Sequence, residues 1–132
     1  MFVNIHTHTY KCTDYQLFNN FLTHKIIDKK IIQSLGIHPW YIQNPWKTDL
    51  LFLKNESISE NVVAIGETGL DKLIDIDFNL QQQVFMEHIL WAEQVKKPLI
   101  IHCVKAYQEI LVLKKQTKST VPWIFHGFSK KH

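Results

Sequence analysis

Val62-Val63-Ala64-Ile65-Gly66-Glu67 and, further along, Leu99-Ile100-Ile101-His102-Cys103 share one form: a short aliphatic run that ends at a residue able to hold a proton or a metal ion. Both runs are continuous rather than alternating, as expected of strands buried on both faces of a parallel sheet. Working outward, the same form recurs at Phe2 to His6, Gln33 to His38 and Trp123 to His126. Between these runs lie helix signals. Asp77 is a good N-cap for a helix through Asn79 to Val95, with Phe85, Ile89 and Ala92 as its apolar stripe and Pro98 beyond its end. A second helix is expected over Lys105 to Lys115, with Ala106, Ile110, Leu111 and Leu113 inward, and a shorter one over Lys47 to Asn55. Residues Asp14 to Lys30 stay open, because Leu17 to Leu22 suits either a helix or a short strand. Alternating strands and helices predict an α/β fold.

The reactive residues respect this period. His6, His38, Glu67, His102 and His126 each stand at or just past a predicted strand end, at steps of 24 to 35 positions, about one βα unit each. In a (β/α)8 barrel the C-terminal strand ends meet at one face, so residues distant in sequence converge there. A lone histidine in an apolar run is commonly a satisfied core residue, but several in register with the strand period point to a shared site.

Composition narrows the classes. The 132 residues are 45% hydrophobic and 20% charged, which supplies a core and excludes a disordered or collagen-like chain. No run approaches the ~18 to 20 apolar residues of a membrane helix, and the start Met1-Phe2-Val3-Asn4 lacks the basic and long apolar regions of a signal peptide. No membrane partner and a cytoplasmic location are therefore expected. Two cysteines, Cys12 and Cys103, make no disulfide framework. The net charge is +3, all fifteen basic residues are lysine, and they are scattered; charge alone names no partner.

His6-Thr7-His8 places two imidazoles on one side of an extended segment, a spacing that suits chelation of one metal ion. A carboxylate such as Glu67 can bridge two divalent cations, one oxygen on each. Gly66 and Gly69 beside it permit close backbone approach. Cys103 should point away from His102 and serve packing.

Taken together, Asn4-Ile5-His6-Thr7-His8, Gly36-Ile37-His38-Pro39, Gly66-Glu67-Thr68-Gly69-Leu70-Asp71, Ile101-His102-Cys103 and His126-Gly127-Phe128-Ser129 resemble the TatD-like metal-dependent deoxyribonucleases, a branch of the amidohydrolase-like TIM-barrel hydrolases. The resemblance runs over essentially the whole chain. It implies that His6 and His8 bind one metal ion, that Glu67 bridges, and that His102 and His126 bind a second ion. His38 would stand near the substrate phosphate. The implied cofactors are two divalent ions, among Mg, Mn, Zn and Co, and the implied reaction is hydrolysis of DNA phosphodiester bonds. Trp40 or Tyr41 would stack on unpaired bases, with packing as the alternative role for both.

The chain departs from the family pattern at Asn4, where Asp is usual, at Val104, where Arg is common, and at Lys72, where an aromatic often stands. Lys105 is a candidate to replace the missing positive charge, with an ordinary first-turn surface lysine as the alternative reading. The family's late Glu-Thr-Asp motif has no counterpart in the 132 residues. The expectation is one domain over 1–132, an incomplete (β/α)8 barrel of about five parallel strands, the C-terminal strands missing and activity severely reduced. Open edges at the first and fifth strands and an apolar inner face predict either self-association or poor solubility. Two alternatives are a non-catalytic fragment and a histidinol-phosphatase-like phosphoesterase, which also uses an N-terminal His-x-His but needs further ligands and would act on another phosphoester.

Overall fold

The computed structural model describes residues 18–21, 28 and 30–126. Its elements follow the expected alternation: β1 (Phe18–Asn20), β2 (Gln33–Leu35), a 3-10 turn (Pro39–Tyr41), α1 (Trp46–Glu56), β3 (Val62–Asp71), α2 (Phe78–Val95), β4 (Leu99–Val104), α3 (Tyr107–Thr117) and β5 (Trp123–Phe125). The strands form one parallel sheet in the order β1-β2-β3-β4-β5, and among the described residues this sheet is not closed. Parallel strands joined by helices put all the C-terminal strand ends on one edge, which is what positions the site.

The α/β reading holds, with differences in detail. The expected strand Phe2 to His6 lies outside the described residues. The open segment Asp14 to Lys30 contains the strand β1, whose three residues are too few to show a period in sequence. β2 stops at Leu35, earlier than expected, because the chain turns into the 3-10 helix that His38 caps. β3 runs four residues past Glu67 to Asp71.

α2 begins at its expected cap: Asp77 Oδ2 accepts from the Leu80 backbone N–H at 3.0 Å. Val84, Phe85, Ile89 and Ala92 on its inner face are all buried. α3 starts two residues later than expected, after Lys105 at φ +55° and the buried Ala106. Ile110 and Leu113 face inward, whereas Leu111, expected inward, is 39% exposed. Ile110 and Leu113, three positions apart, share the inner face of the helix, and Leu111 lies about 100° round from Ile110 toward solvent.

Two apolar clusters fill the layer between sheet and helices. The larger joins Ile65, Leu70, Leu99 and Ile101 of the sheet to Phe85, Ile89 and Ala92 of α2 and Ile110 and Leu113 of α3, with Cys103 packed against it as expected. The smaller joins Leu35, Ile37 and Val62 to Leu50 and Leu53 of α1 and Val84 of α2. His88 of α2 is completely buried and reaches the segment after β2: its Nε2 accepts from the Ile37 backbone N–H at 2.9 Å.

Candidate metal centre

β3 pairs with β4 regularly except at one point. Gly66 lies opposite Ile100 and Thr68 opposite Ile101, so Glu67 is the extra residue of a bulge. Bulges re-aim side chains, and this one turns Glu67 toward the ends of β4 and β5. Two glycines permit the close pairing. Gly66 has φ +134° and a Cβ there would come 2.3 Å from the Ile100 carbonyl oxygen; Gly69 has φ +149° and a Cβ would come 2.0 Å from that of His102. Gly69 lies directly opposite His102, which is thereby set between the carboxylates of Glu67 and Asp71.

The Glu67 side chain is 4% exposed, and each of its oxygens meets a different histidine. Oε1 lies 2.6 Å from His126 Nδ1 and Oε2 lies 3.1 Å from His102 Nδ1, with His38 Nε2 at 3.7 Å from the same oxygen. Burial alone would push the Glu67 carboxyl up, but the hydrogen bonds with His102 and His126, together with the nearby His38, outweigh it and hold the carboxyl far below its ordinary range. Both ring nitrogens of His102 face carboxylates, since Nε2 lies 2.9 Å from Asp71 Oδ2. Burial works against a charge on this ring, yet the bonds to Glu67 and Asp71 prevail and raise its pKa. The Cys103 thiol, by contrast, is pushed up by burial and stays a packing group.

Four expected site residues, His38, Glu67, His102 and His126, are thus brought together from the ends of β2 to β5. His6 and His8 lie outside the described residues. Ligand atoms of His38, Glu67 and His102 lie within 4.8 Å of one another. Two imidazoles and a buried carboxylate, drawn together with a third imidazole on the other carboxylate oxygen, are a donor set that fits a divalent cation. Glu67 and His102 are the members that would hold one.

His38 differs from the others. Its Nδ1 accepts from the Trp40 backbone N–H at 3.1 Å, so the proton of the neutral ring stands on Nε2, the atom turned toward Glu67. Its ring lies beside those of Phe21, Trp40, Tyr41 and His102, with centroids 4.4 to 5.5 Å away.

Sequence reading assigned no role to Asp71, which is buried and bonded to His102 and to the Trp40 indole N–H, the latter at 2.7 Å. Strand alternation carried a usable signal, because a residue four places after Glu67 in an extended segment returns to the same face. Lys105, the candidate replacement charge, is exposed, and Lys72 forms an ion pair with Glu109 of α3.

Comparison with known proteins agrees with this architecture. The family described as TatD related DNase matches residues 3–132. A protein named as an uncharacterized metal-dependent hydrolase in Buchnera aphidicola subsp. Baizongia pistaciae is 39% identical over 105 residues, 78% of this chain and 39% of that protein. A similarly named protein, YabD of Bacillus subtilis, is 36% identical, covering 75% of this chain and 40% of its own length. The crystal structure of YjjV, a TatD homologue from Escherichia coli K12, superposes with a TM-score of 0.69 at 28% identity over 75% of this chain and 39% of that one. The chain belongs to the TatD family of metal-dependent hydrolases. It spans about two fifths of the length of these relatives. Among the described residues no helix is long and apolar enough to cross a membrane.

Proposed function

We propose that this chain carries the larger part of a two-metal site that hydrolyses phosphodiester bonds of DNA. The observation that carries the reading is Glu67, whose two carboxylate oxygens are each turned to a different histidine, His126 on one side and His102 on the other. A buried carboxylate set among histidines in this way can help hold a cation, and its two oxygens allow it to reach a second. His6 and His8 would complete the ligand set of the first ion, and His102 and His126 would serve the second. Divalent ions held there, whether Mg, Mn, Zn or Co, would supply Lewis acidity for water and for the phosphate oxygens.

The remaining residues bind and orient. His38 offers its Nε2–H toward the Glu67 edge of the site, which suits donation to a substrate phosphate oxygen better than metal ligation, since its other nitrogen already accepts a hydrogen bond. A cavity of about 330 Å³ beside it is lined by Phe21, Ile37, Trp40, Tyr41, Ile42, Gln43 and Asp49. Trp40 is 52% exposed and Tyr41 42% exposed, so both present aromatic surface on which an unpaired base can stack. β1 and β5 are the outer strands of the described sheet, and we propose that copies of the chain associate through such edges.

Nucleotide release from single-stranded DNA with Mg²⁺, Mn²⁺ or Co²⁺, set against a phosphomonoester, tests the chemistry. The expected result is ion-dependent release that Glu67→Gln abolishes. Cleavage of the monoester alone would reject the nuclease reading in favour of a phosphatase. Size-exclusion chromatography tests association, and a well-behaved monomer with cooperative unfolding would overturn it.

A further inference from the structure

Asp71 is the best-anchored carboxylate of the site. Oδ2 accepts from the Trp40 indole N–H at 2.7 Å and lies 2.9 Å from His102 Nε2, while Oδ1 accepts from the Leu73 backbone N–H at 2.9 Å. Its own backbone is clamped as well. The Gln81 side-chain amide of α2 accepts from the Asp71 N–H at 2.8 Å and donates to the Asp71 carbonyl oxygen at 3.0 Å. Indole and backbone N–H groups can only donate, so the carboxylate they bind is an acceptor, and the hydrogen between Asp71 and His102 belongs to Nε2.

We propose that Asp71 is a positioning residue that fixes His102 in the Nε2–H tautomer and thereby reserves Nδ1, the nitrogen facing Glu67, for a divalent cation. Trp40 takes part through the carboxylate, since its indole N–H donates to the same oxygen that faces His102 Nε2. A carboxylate behind a metal-binding histidine both sets the ring's orientation and raises its basicity. The arrangement also ties the exposed Trp40 ring, whose centroid lies 5.5 Å from that of His102, to the residue that would bind the ion. This inference rests on the reading of Glu67 and His102 as a metal centre.

The test uses the full chain, Zn²⁺ alone as probe and two readouts that do not depend on activity. Long-range ¹H–¹⁵N spectra of histidine-labelled protein report which ring nitrogen of His102 carries hydrogen. The expected result with Zn²⁺ is Nε2–H with metal on Nδ1; metal on Nε2 overturns the proposal without needing any variant. In calorimetric titration, Asp71→Asn should weaken Zn²⁺ binding by about 10- to 100-fold and let the His102 tautomers mix. Trp40→Phe, which keeps the ring and loses the N–H, should weaken binding less. If wild type binds Zn²⁺ and Asp71→Asn matches it in affinity and tautomer, the role of Asp71 is refuted while the metal centre stands. If wild type binds no Zn²⁺, the metal reading itself fails and takes the proposal with it.

Discussion

His88 and His102 occupy two regions that use a largely buried histidine in opposite ways. His88 sits at the seam between α2 and the segment after β2. Its Nδ1–H donates to the Val84 carbonyl oxygen at 2.8 Å and its Nε2 accepts from the Ile37 N–H at 2.9 Å. One donor and one acceptor match a neutral ring, and burial pushes its pKa down to about 4. A proton added at Nε2 would face the Ile37 N–H with no acceptor. His102 has a carboxylate at each nitrogen instead, so its surroundings favour positive charge and raise its pKa. The same side chain is a structural fastener in one place and lies between two carboxylates, in surroundings that fit a cation, in the other, because its neighbours differ.

The strongest way to break this comparison is Glu67→Gln. It removes the charge from the His102 side, and cation affinity measured by titration calorimetry should fall by more than the ~10- to 100-fold typical of an outer-shell partner. The His88 region should be unaffected, so unfolding should stay cooperative.

Acid titration sharpens the contrast next. The unfolded chain protonates His88 near pH 6.5, whereas the folded chain resists until about pH 4. The stability held by neutral His88 is therefore complete above pH 6.5 and is lost as pH falls through 4, an effect on the order of 3 kcal/mol. His102 has the opposite sign in the metal-free chain: its contribution is present below its unfolded pKa and is lost as pH rises through its raised folded value. Denaturant midpoints of wild type and His88→Leu between pH 7 and 4 should converge as pH falls. Parallel curves would show that His88 is not the group responsible.

At pH 7, His88→Leu keeps the volume but orphans the Ile37 N–H, for an expected loss of about 1 to 3 kcal/mol. Zn²⁺ affinity should change little, and a large change would mean that the seam and the site are one unit. The smallest effect belongs to Lys72→Ala. Its ion pair with Glu109 is exposed, so stability should move by no more than ~0.5 kcal/mol.

Much of the fold was legible because its strands are short continuous aliphatic runs and α2 carries both a cap and a clear stripe. β1 was not, since three residues cannot display a period. The inward placement of Leu111 failed because adjacent residues of a helix point about 100° apart, so Ile110 and Leu111 cannot both face the sheet squarely. Within the site, His38, Glu67, His102 and His126 could be read from their positions at predicted strand ends. Asp71 escaped because β3 was expected to stop at Glu67. His88 carried no signal at all, because its partner Ile37 lies 51 residues away.

The sequence by itself determined the family and which residues meet at the strand ends: imidazoles and a carboxylate spaced at the βα period, on runs apolar enough to be buried. Only the tertiary structure decided which nitrogen of each ring meets which oxygen. That choice depends on a bulge at Glu67, on glycines that let β3 and β4 close up, and on hydrogen-bond partners brought from distant elements. Residue type sets what a histidine can do; the donors and acceptors packed around it select what it does.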